Sequence, residues 1–313
     1  MSDTTLNATG SESIADTRLH DIVVGVDGSD ESFAALRWAL NEASLTGQQV
    51  NAVFAWSHSW DMGSEPEDEE QWAKVRHDIA QRLRDWVSEA SQGMTLNEDH
   101  VKLTSVKATG TSALLEIGRD ARQIVVGRRS LGRVARWFLG SLSASLAEAA
   151  EVPVTVVRIL DDEESNVQDA IANALTPTEE TVSYTMPGSP LPRNQRPVVV
   201  GVDGSETSKH ALRFAIDFAA LHHAPLQVMF CWQLKDLGVV KGYENAVAPI
   251  SVGQAQAERM LDELLDSVQV SSANIPDDFQ IESHAFHIPA SKGLIAASRY
   301  ARHLVVGSRG LSG

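Results

Sequence analysis

The sequence predicts an α/β protein of two successive domains, each built on a mostly parallel sheet with helices on both faces. Its 313 residues are enough for about two domains. The heptapeptide VVGVDGS occurs twice, at residues 23–29 and again at residues 199–205. Apolar runs of strand length alternate along the chain with stripes of helical spacing, and this alternation is typical of parallel β-α-β units.

The duplication extends well beyond the heptapeptide. The further matches are residues 35–39 with 211–215, 54–56 with 230–232 and, after a small shift, 121–127 with 301–307. Because all these matches occur in the same order, we interpret the chain as a tandem repeat of one structural unit.

Each repeat begins with a continuous β-branched run, which is typical of a strand buried on both faces, followed by an amphipathic helix. In the first repeat the predicted strands are 22–26, 50–56, one that contains Val101 and Leu103, 124–126 and 154–157, and the predicted helices contain 36–43, 72–86, 114–121 and 142–149. In the second repeat the strands are 198–202, 226–232, one that contains Phe279 and Ile281, and one within 301–307, with helices that contain 212–219 and 257–268.

The domain boundaries follow from composition. We predict a disordered tail at residues 1–19, a first domain at 20–159, a linker at 160–196 that is acidic and then proline-rich, and a second domain at 197–313. In the register of the first repeat, the second lacks about 25 residues, namely the last helix and fifth strand. We therefore expect a C-terminally truncated second domain that is less stable than the first.

Charge and composition exclude several classes of partner. The chain has 42 acidic and 26 basic residues, a formal net charge of -16, which repels nucleic acid and anionic membranes. No apolar run reaches the roughly 18 residues that a membrane span requires. A single cysteine, Cys231, fits a reducing compartment, so we predict a cytoplasmic protein.

The first candidate binding segment is Asp27-Gly28-Ser29, which closes the first strand. An aspartate there can accept hydrogen bonds from a ribose hydroxyl or an adenine amine. It can equally cap the following helix and fix the turn. Both interpretations stay open at this point.

The second candidate segment follows the fourth strand. Gly127 leaves room for close backbone approach to a ligand, and Gly140-Ser141 precedes a helix whose N-terminus can hold phosphate. The segment between them contains no acidic residue and carries Arg128, Arg129, Arg133 and Arg136. A basic loop that contacts the acidic linker is the alternative.

These residues resemble the ATP-binding pattern of universal stress proteins, Gly-x2-Gly-x9-Gly-Ser/Thr after a fourth strand with Asp closing the first. The resemblance implies a Rossmann-like fold of the adenine nucleotide alpha hydrolase type, ATP with or without Mg²⁺ at the strand ends, and a homodimer through the fifth strand of the first domain. The residues it implies for nucleotide binding are Asp27, Gly28, Ser29, Ala55, Gly127, Arg128, Ser130, Gly140 and Ser141. Ser130 stands where the pattern has its second glycine.

The second repeat matches this pattern only in part. Asp203, Gly307 and Gly310 are retained, Cys231 replaces Ala55, and the final Gly-Ser with its helix is missing. We therefore expect the second site not to hold a triphosphate tightly.

Three functions are compatible with these residues. The preferred one is stress-response signalling or scaffolding, with adenine nucleotide bound through the first domain and with unidentified protein partners. The second is a nucleotide-free interaction protein of the same fold, favoured by Ser130 and the short second repeat. The third is a slow ATPase, for which Asp27 is the only candidate base; no catalytic residue is assigned.

Overall fold

The computed structural model describes residues 21–56, 68–94, 100–128, 141–159, 196–238, 240, 242–243, 246–268, 276 and 278–308. The chain divides into two compact units, Met1–Leu160 and Asp161–Gly313. The predicted tail and nearly all of the predicted linker lie outside the described residues.

The first unit contains a five-stranded parallel sheet of order β3-β2-β1-β4-β5. Its strands are β1 Ile22–Gly25, β2 Val50–Trp56, β3 Val101–Lys107, β4 Gln123–Gly127 and β5 Val154–Val157, and its helices are α1 Asp30–Thr46, α2 Glu69–Ala90, α3 Gly110–Ile117 and α4 Ser141–Ala149. The order in which strands are added thus reverses at β1. Strands β2 and β3 lie on one side of β1, and β4 and β5 lie on the other.

The central strands are buried because helices cover both faces of the sheet. Along β1, Ile22 and Val24 face α1 and α2, whereas Val23 faces α3 and α4. All three are at most 2% exposed. This two-sided burial is the physical reason for the continuous apolar run that the sequence shows at β1.

The second unit repeats the arrangement with four described strands in the order β8-β7-β6-β9, all parallel. The strands are β6 Val198–Val202, β7 Leu226–Cys231, β8 Ile281–Phe286 and β9 His303–Val306, and the α-helices are α5 Glu206–Leu221, α6 Ile250–Ser267 and α7 Ala290–Tyr300, with a short 3-10 helix at Leu234–Leu237. The prediction of two parallel-sheet α/β domains, the second shorter, is confirmed.

Some element ends differ from the predictions. Helix α3 ends at Ile117 with Gly118 as its C-cap, earlier than the predicted Ala121. Strand β8 begins at Ile281 and does not include Phe279. Within the described part of the chain, no helix is both long and apolar enough to cross a membrane.

Candidate functional site

The candidate site lies at the carboxyl end of β1, where the strand order reverses and where ligands bind in open parallel sheets. Asp27 follows β1 and is exposed. Its Oδ1 accepts hydrogen bonds from the backbone N of Ser29 at 3.1 Å and from the Ser29 hydroxyl at 2.5 Å. Ser29 Oγ accepts in turn from the backbone N of Ser32 at 3.2 Å, which caps α1. The carboxylate therefore fixes the turn into the helix.

The second domain builds the same turn. Asp203 Oδ1 accepts from the backbone N of Ser205 at 3.0 Å and from its hydroxyl at 2.6 Å. Ser205 Oγ accepts from the backbone N of Ser208 at 3.2 Å, at the N-terminus of α5. The duplicated aspartate thus holds the capping serine in both domains, and it uses Oδ1 for both hydrogen bonds.

Gly28 and its counterpart Gly204 differ in their surroundings. Both have a left-handed backbone, with φ of +83° and +85°. A Cβ at Gly28 would lie 2.5 Å from Cζ2 of Trp86, whereas a Cβ at Gly204 would meet no described atom within 4 Å. Trp86 also contacts Phe54 edge-on, with ring centroids 5.2 Å apart. The first domain therefore covers this turn with an indole and the second does not.

Gly127 ends β4 and packs tightly against α1. A Cβ there would lie 2.2 Å from the carbonyl oxygen of Glu31 and 2.8 Å from the backbone N of Ser32. At the equivalent Gly307 the nearest atom, in Thr207, is 3.2 Å away. Contact between strand and helix thus accounts for the glycine in the first domain, independently of any phosphate.

The remaining predicted residues of the first domain are placed as follows. Ala55 lies in β2 beside Val106 of β3. Arg128 is exposed directly after β4, and its backbone N donates to the carbonyl of Val157 in β5 at 2.8 Å, so this amide is used by the sheet.

Ser141 is the first residue of α4. Ser130 and Gly140 lie outside the described residues, as do Arg129, Arg133 and Arg136. From the register Val24↔Val125, Gly127 stands level with Val26, so the ends of β1 and β4 bring Asp27 and Gly127 to the same edge.

A cleft opens at the corresponding edge of the second domain, with a volume of about 120 Å³. Among the residues that line it are Asp203, Ser205, Met229, Cys231, Leu294 and Gly307. It combines apolar walls from β7 and α7 with polar groups from the turn after β6. Because typical ligand pockets measure about 300–1,000 Å³, this cleft has room for part of a small molecule only.

The family model of the universal stress proteins matches residues 19–158 and 195–313. This chain belongs to the universal stress protein family. The second match begins close to β6, so the duplication seen in the sequence is a duplication of the universal stress protein domain.

Several universal stress proteins match most of this chain. A universal stress protein of Mycobacterium tuberculosis is 29% identical over 299 residues, which cover 94% of this chain and 88% of that protein. The crystal structure of a universal stress protein from Archaeoglobus fulgidus is 14% identical, with a TM-score of 0.51 over 89% of this chain and 82% of that one. A universal stress protein in complex with cAMP is 25% identical, with a TM-score of 0.31 over 44% of this chain and 95% of that chain.

In the second domain of this universal stress protein, Cys231 places a larger side chain with a thiol at the position of Ala55 in the first domain. Burial raises the pKa of its thiol to about 11, so it is protonated at neutral pH and is a poor nucleophile. Its sulfur packs over α7, where a Cβ at Gly293 would lie 2.5 Å from Sγ. Cys231 therefore serves as a wall of the cleft.

Sequence reasoning missed two features of these sites. Trp86 and Leu294 lie on helices far from the glycine motifs along the chain, and only the packed structure brings them to the strand ends. The apolar helical stripe that contains Trp86 predicts that it faces the core, but it does not predict its contact with Gly28. Among the described residues, no group of His, Cys, Asp and Glu side chains is arranged to hold a metal ion.

Proposed function

We propose that this universal stress protein binds adenine nucleotide at the carboxyl edges of its sheets and acts in stress-response signalling or scaffolding. The observation that carries the proposal is the cleft of the second domain. It lies at the strand-order reversal, and Asp203, Ser205, Cys231 and Gly307 in its walls are the counterparts of residues predicted for the first domain. The apolar walls suit a base, and the aspartate suits a ribose hydroxyl.

The two domains take different parts in this proposal. The first binds ATP, with or without Mg²⁺, through Asp27, Ala55 and the segment from Gly127 to Ser141, whose four arginines supply positive charge in an acidic chain. The second binds the adenosine portion, because its cleft measures only about 120 Å³. A cytoplasmic location remains part of the proposal.

Calorimetric titration of the full chain with ATP, ADP and adenosine tests this assignment. Asp27→Asn and Asp203→Asn keep an oxygen that can accept the turn hydrogen bonds but remove the negative charge. Loss of a hydrogen bond to a charged group weakens binding by about tenfold or more. We expect Asp27→Asn to weaken ATP binding at the first domain only, and Asp203→Asn to weaken adenosine binding at the second domain only.

Asp120→Asn is the matched control, because Asp120 is exposed and lies at the opposite end of β4. It should leave both affinities unchanged. The absence of binding heat and of a thermal shift at millimolar ATP and adenosine would reject nucleotide binding.

A nucleotide-free interaction protein is the second candidate. It is favoured by the packing of the first domain, where Trp86 covers Gly28 and the amide of Arg128 donates to β5. Ser130→Gly discriminates the two candidates. Restored ATP binding would indicate a decayed nucleotide site, and no change would favour a scaffold. Hydrolysis of ATP is not favoured, because it requires a positioned base and Asp27 is the only candidate.

We further propose that β5 of the first domain mediates a homodimer. It is the last strand in its sheet, and Val156 is 42% exposed. An apolar edge strand is a template for pairing with another chain. Light scattering should show a dimer that Val156→Lys dissociates; a strict monomer would exclude this interface.

A further inference from the structure

One wall of the second-domain cleft forms where α7 packs on β7. Cys231 of β7 and both Ala290 and Leu294 of α7 are among the residues that line it. The sulfur of Cys231 lies against Gly293, because a Cβ at that glycine would be 2.5 Å from Sγ, a distance that real Cβ atoms essentially never show. A cysteine at position 231 therefore requires a glycine at position 293.

Helices α3 and α7 lie on equivalent places of the two sheets. In the first domain a Cβ at Gly25 of β1 would lie 3.0 Å from Cδ1 of Leu114. In the second domain a Cβ at Gly201 of β6, the counterpart of Gly25, would lie 2.6 Å from Cδ2 of Leu294. The two leucines are therefore counterparts, and so are the residues that precede them.

The preceding residues are Ala113, which is 2% exposed, and Gly293. The matching strand residues are Ala55 and Cys231. The first domain thus has a small side chain on both the helix and the strand, whereas the second has none on the helix and a larger one on the strand. This exchange moves bulk from the helix to the strand, at a position that lines the cleft.

A second contact holds α7 in place over the strand. The hydroxyl of Tyr300, the last residue of α7, donates a hydrogen bond to Oε1 of Gln227 at 2.5 Å. Gln227 and Cys231 are four residues apart on β7 and so point to the same face of the sheet. The helix is therefore tied to β7 at Gln227 and in contact with it at Cys231, and this fixes the position of the cleft wall.

We propose that Cys231, packed on Gly293, is the specificity-determining residue of the second cleft and limits it to adenosine whose base carries no added substituent. The inference rests on the proposed function, because it takes adenosine as the ligand of this cleft. At about 120 Å³ the cleft is small, so the room for one more methyl group decides whether a base fits. Discrimination over one such group in an apolar pocket is about 10- to 200-fold.

The first experiment measures ligand selectivity by calorimetry on the full chain. The probes are adenosine and adenosines methylated at C2, C8 or N6, and every variant carries Asp27→Asn to weaken binding at the first domain. Cys231→Ala should improve the affinity of at least one methylated adenosine, relative to adenosine, by about tenfold or more. Cys231→Ser keeps a side chain of nearly the same size and should retain the original ranking of the probes, whatever its affinity for adenosine.

The second experiment tests the packing by hydrogen exchange and needs no ligand. Gly293→Ala should make the amides of β7 exchange about tenfold faster or more, because the added Cβ meets Sγ of Cys231. Combined with Cys231→Ala, the same substitution should change their exchange by less than about threefold. Gly253→Ala on α6 is the matched control. Its Cβ would lie 2.9 Å from the ring of Trp232, so Cys231→Ala should not relieve it.

Three results overturn this assignment and leave the proposed function in place. Adenosine binds, but Cys231→Ala ranks the methylated adenosines as Cys231 does. Cys231→Ser changes the ranking as much as Cys231→Ala. Cys231→Ala relieves Gly253→Ala as much as it relieves Gly293→Ala. If the chain with Cys231 intact binds no adenosine, the proposed function is rejected, and this assignment is rejected with it.

Discussion

Replacement of Gly127 by alanine tests whether packing or ligand binding requires this glycine. The new Cβ would lie 2.2 Å from the carbonyl oxygen of Glu31, and ordinary contact begins at 3.4 Å, so the overlap exceeds an ångström. The carbonyl carbon of Glu31 is 2.4 Å away and the backbone N of Ser32 is 2.8 Å away, and Ser32 N is held by the Ser29 cap. These backbone atoms cannot move as a side chain can. Overpacking of this kind costs typically about 1–3 kcal/mol, and we expect about 2–3 kcal/mol here.

Gly307→Ala is the matched control, because its nearest neighbour in Thr207 is 3.2 Å away and a small shift relieves the contact. Hydrogen exchange with mass spectrometry resolves the domains separately. We expect amides of β1 and β4 to exchange about 30- to 150-fold faster in Gly127→Ala. Those of β6 and β9 should change by less than about fivefold in Gly307→Ala. Equal effects in the two variants, or none in Gly127→Ala, would refute the packing argument.

Three further predictions concern the turn glycines of the two domains, Cys231 and the cap of α5. Gly28→Ala should destabilise its domain more than Gly204→Ala, because both place an L-residue in the left-handed region at a cost of about 1–2 kcal/mol but only the first meets Trp86; equal losses by hydrogen exchange would contradict this. Burial raises the pKa of Cys231 to about 11 from 9.0, so alkylation by iodoacetamide at pH 8 should be about a hundredfold slower than for a free thiol. The stability that the protonated Cys231 thiol contributes to the folded domain, present below pH 9, should be lost as the pH rises through about 11. An alkylation rate that does not depend on pH would contradict the raised pKa of Cys231. Ser205→Ala removes the cap of α5 and should cost about 1 kcal/mol in the exchange of β6.

The sequence predicted the fold well because the evidence for it is local. The runs at β1 and β6 are apolar at successive positions. A strand needs this pattern when helices cover both faces of its sheet. The repeat then transferred each element from one domain to the other. Element ends were less predictable: α3 stops at Gly118, where a Cβ would lie 2.6 Å from Ile124. That constraint comes from the packed sheet and is invisible in a helical stripe.

The candidate site was predictable only in its turn. The hydrogen bonds between Asp27 and Ser29 join residues two positions apart, so the sequence alone offered this turn as one of two interpretations. The closeness of Gly127 to α1 and of Trp86 to Gly28 depends on residues distant along the chain. Gly127, which the sequence suggested as a place for phosphate to approach the backbone, also packs against the first turn of α1.

A comparison of the two domains distinguishes the Asp–Ser turn, which is the same in both, from the residues packed around it, which differ. Asp27 and Asp203 make the same pair of hydrogen bonds within about 0.1 Å, so the two domains do not differ in this turn. What differs lies around it: an indole over Gly28 but open space at Gly204, and backbone against Gly127 but looser contact at Gly307. The helices therefore pack differently around the same turn in the two domains, so the shared motif does not by itself determine the surroundings of each strand-end site.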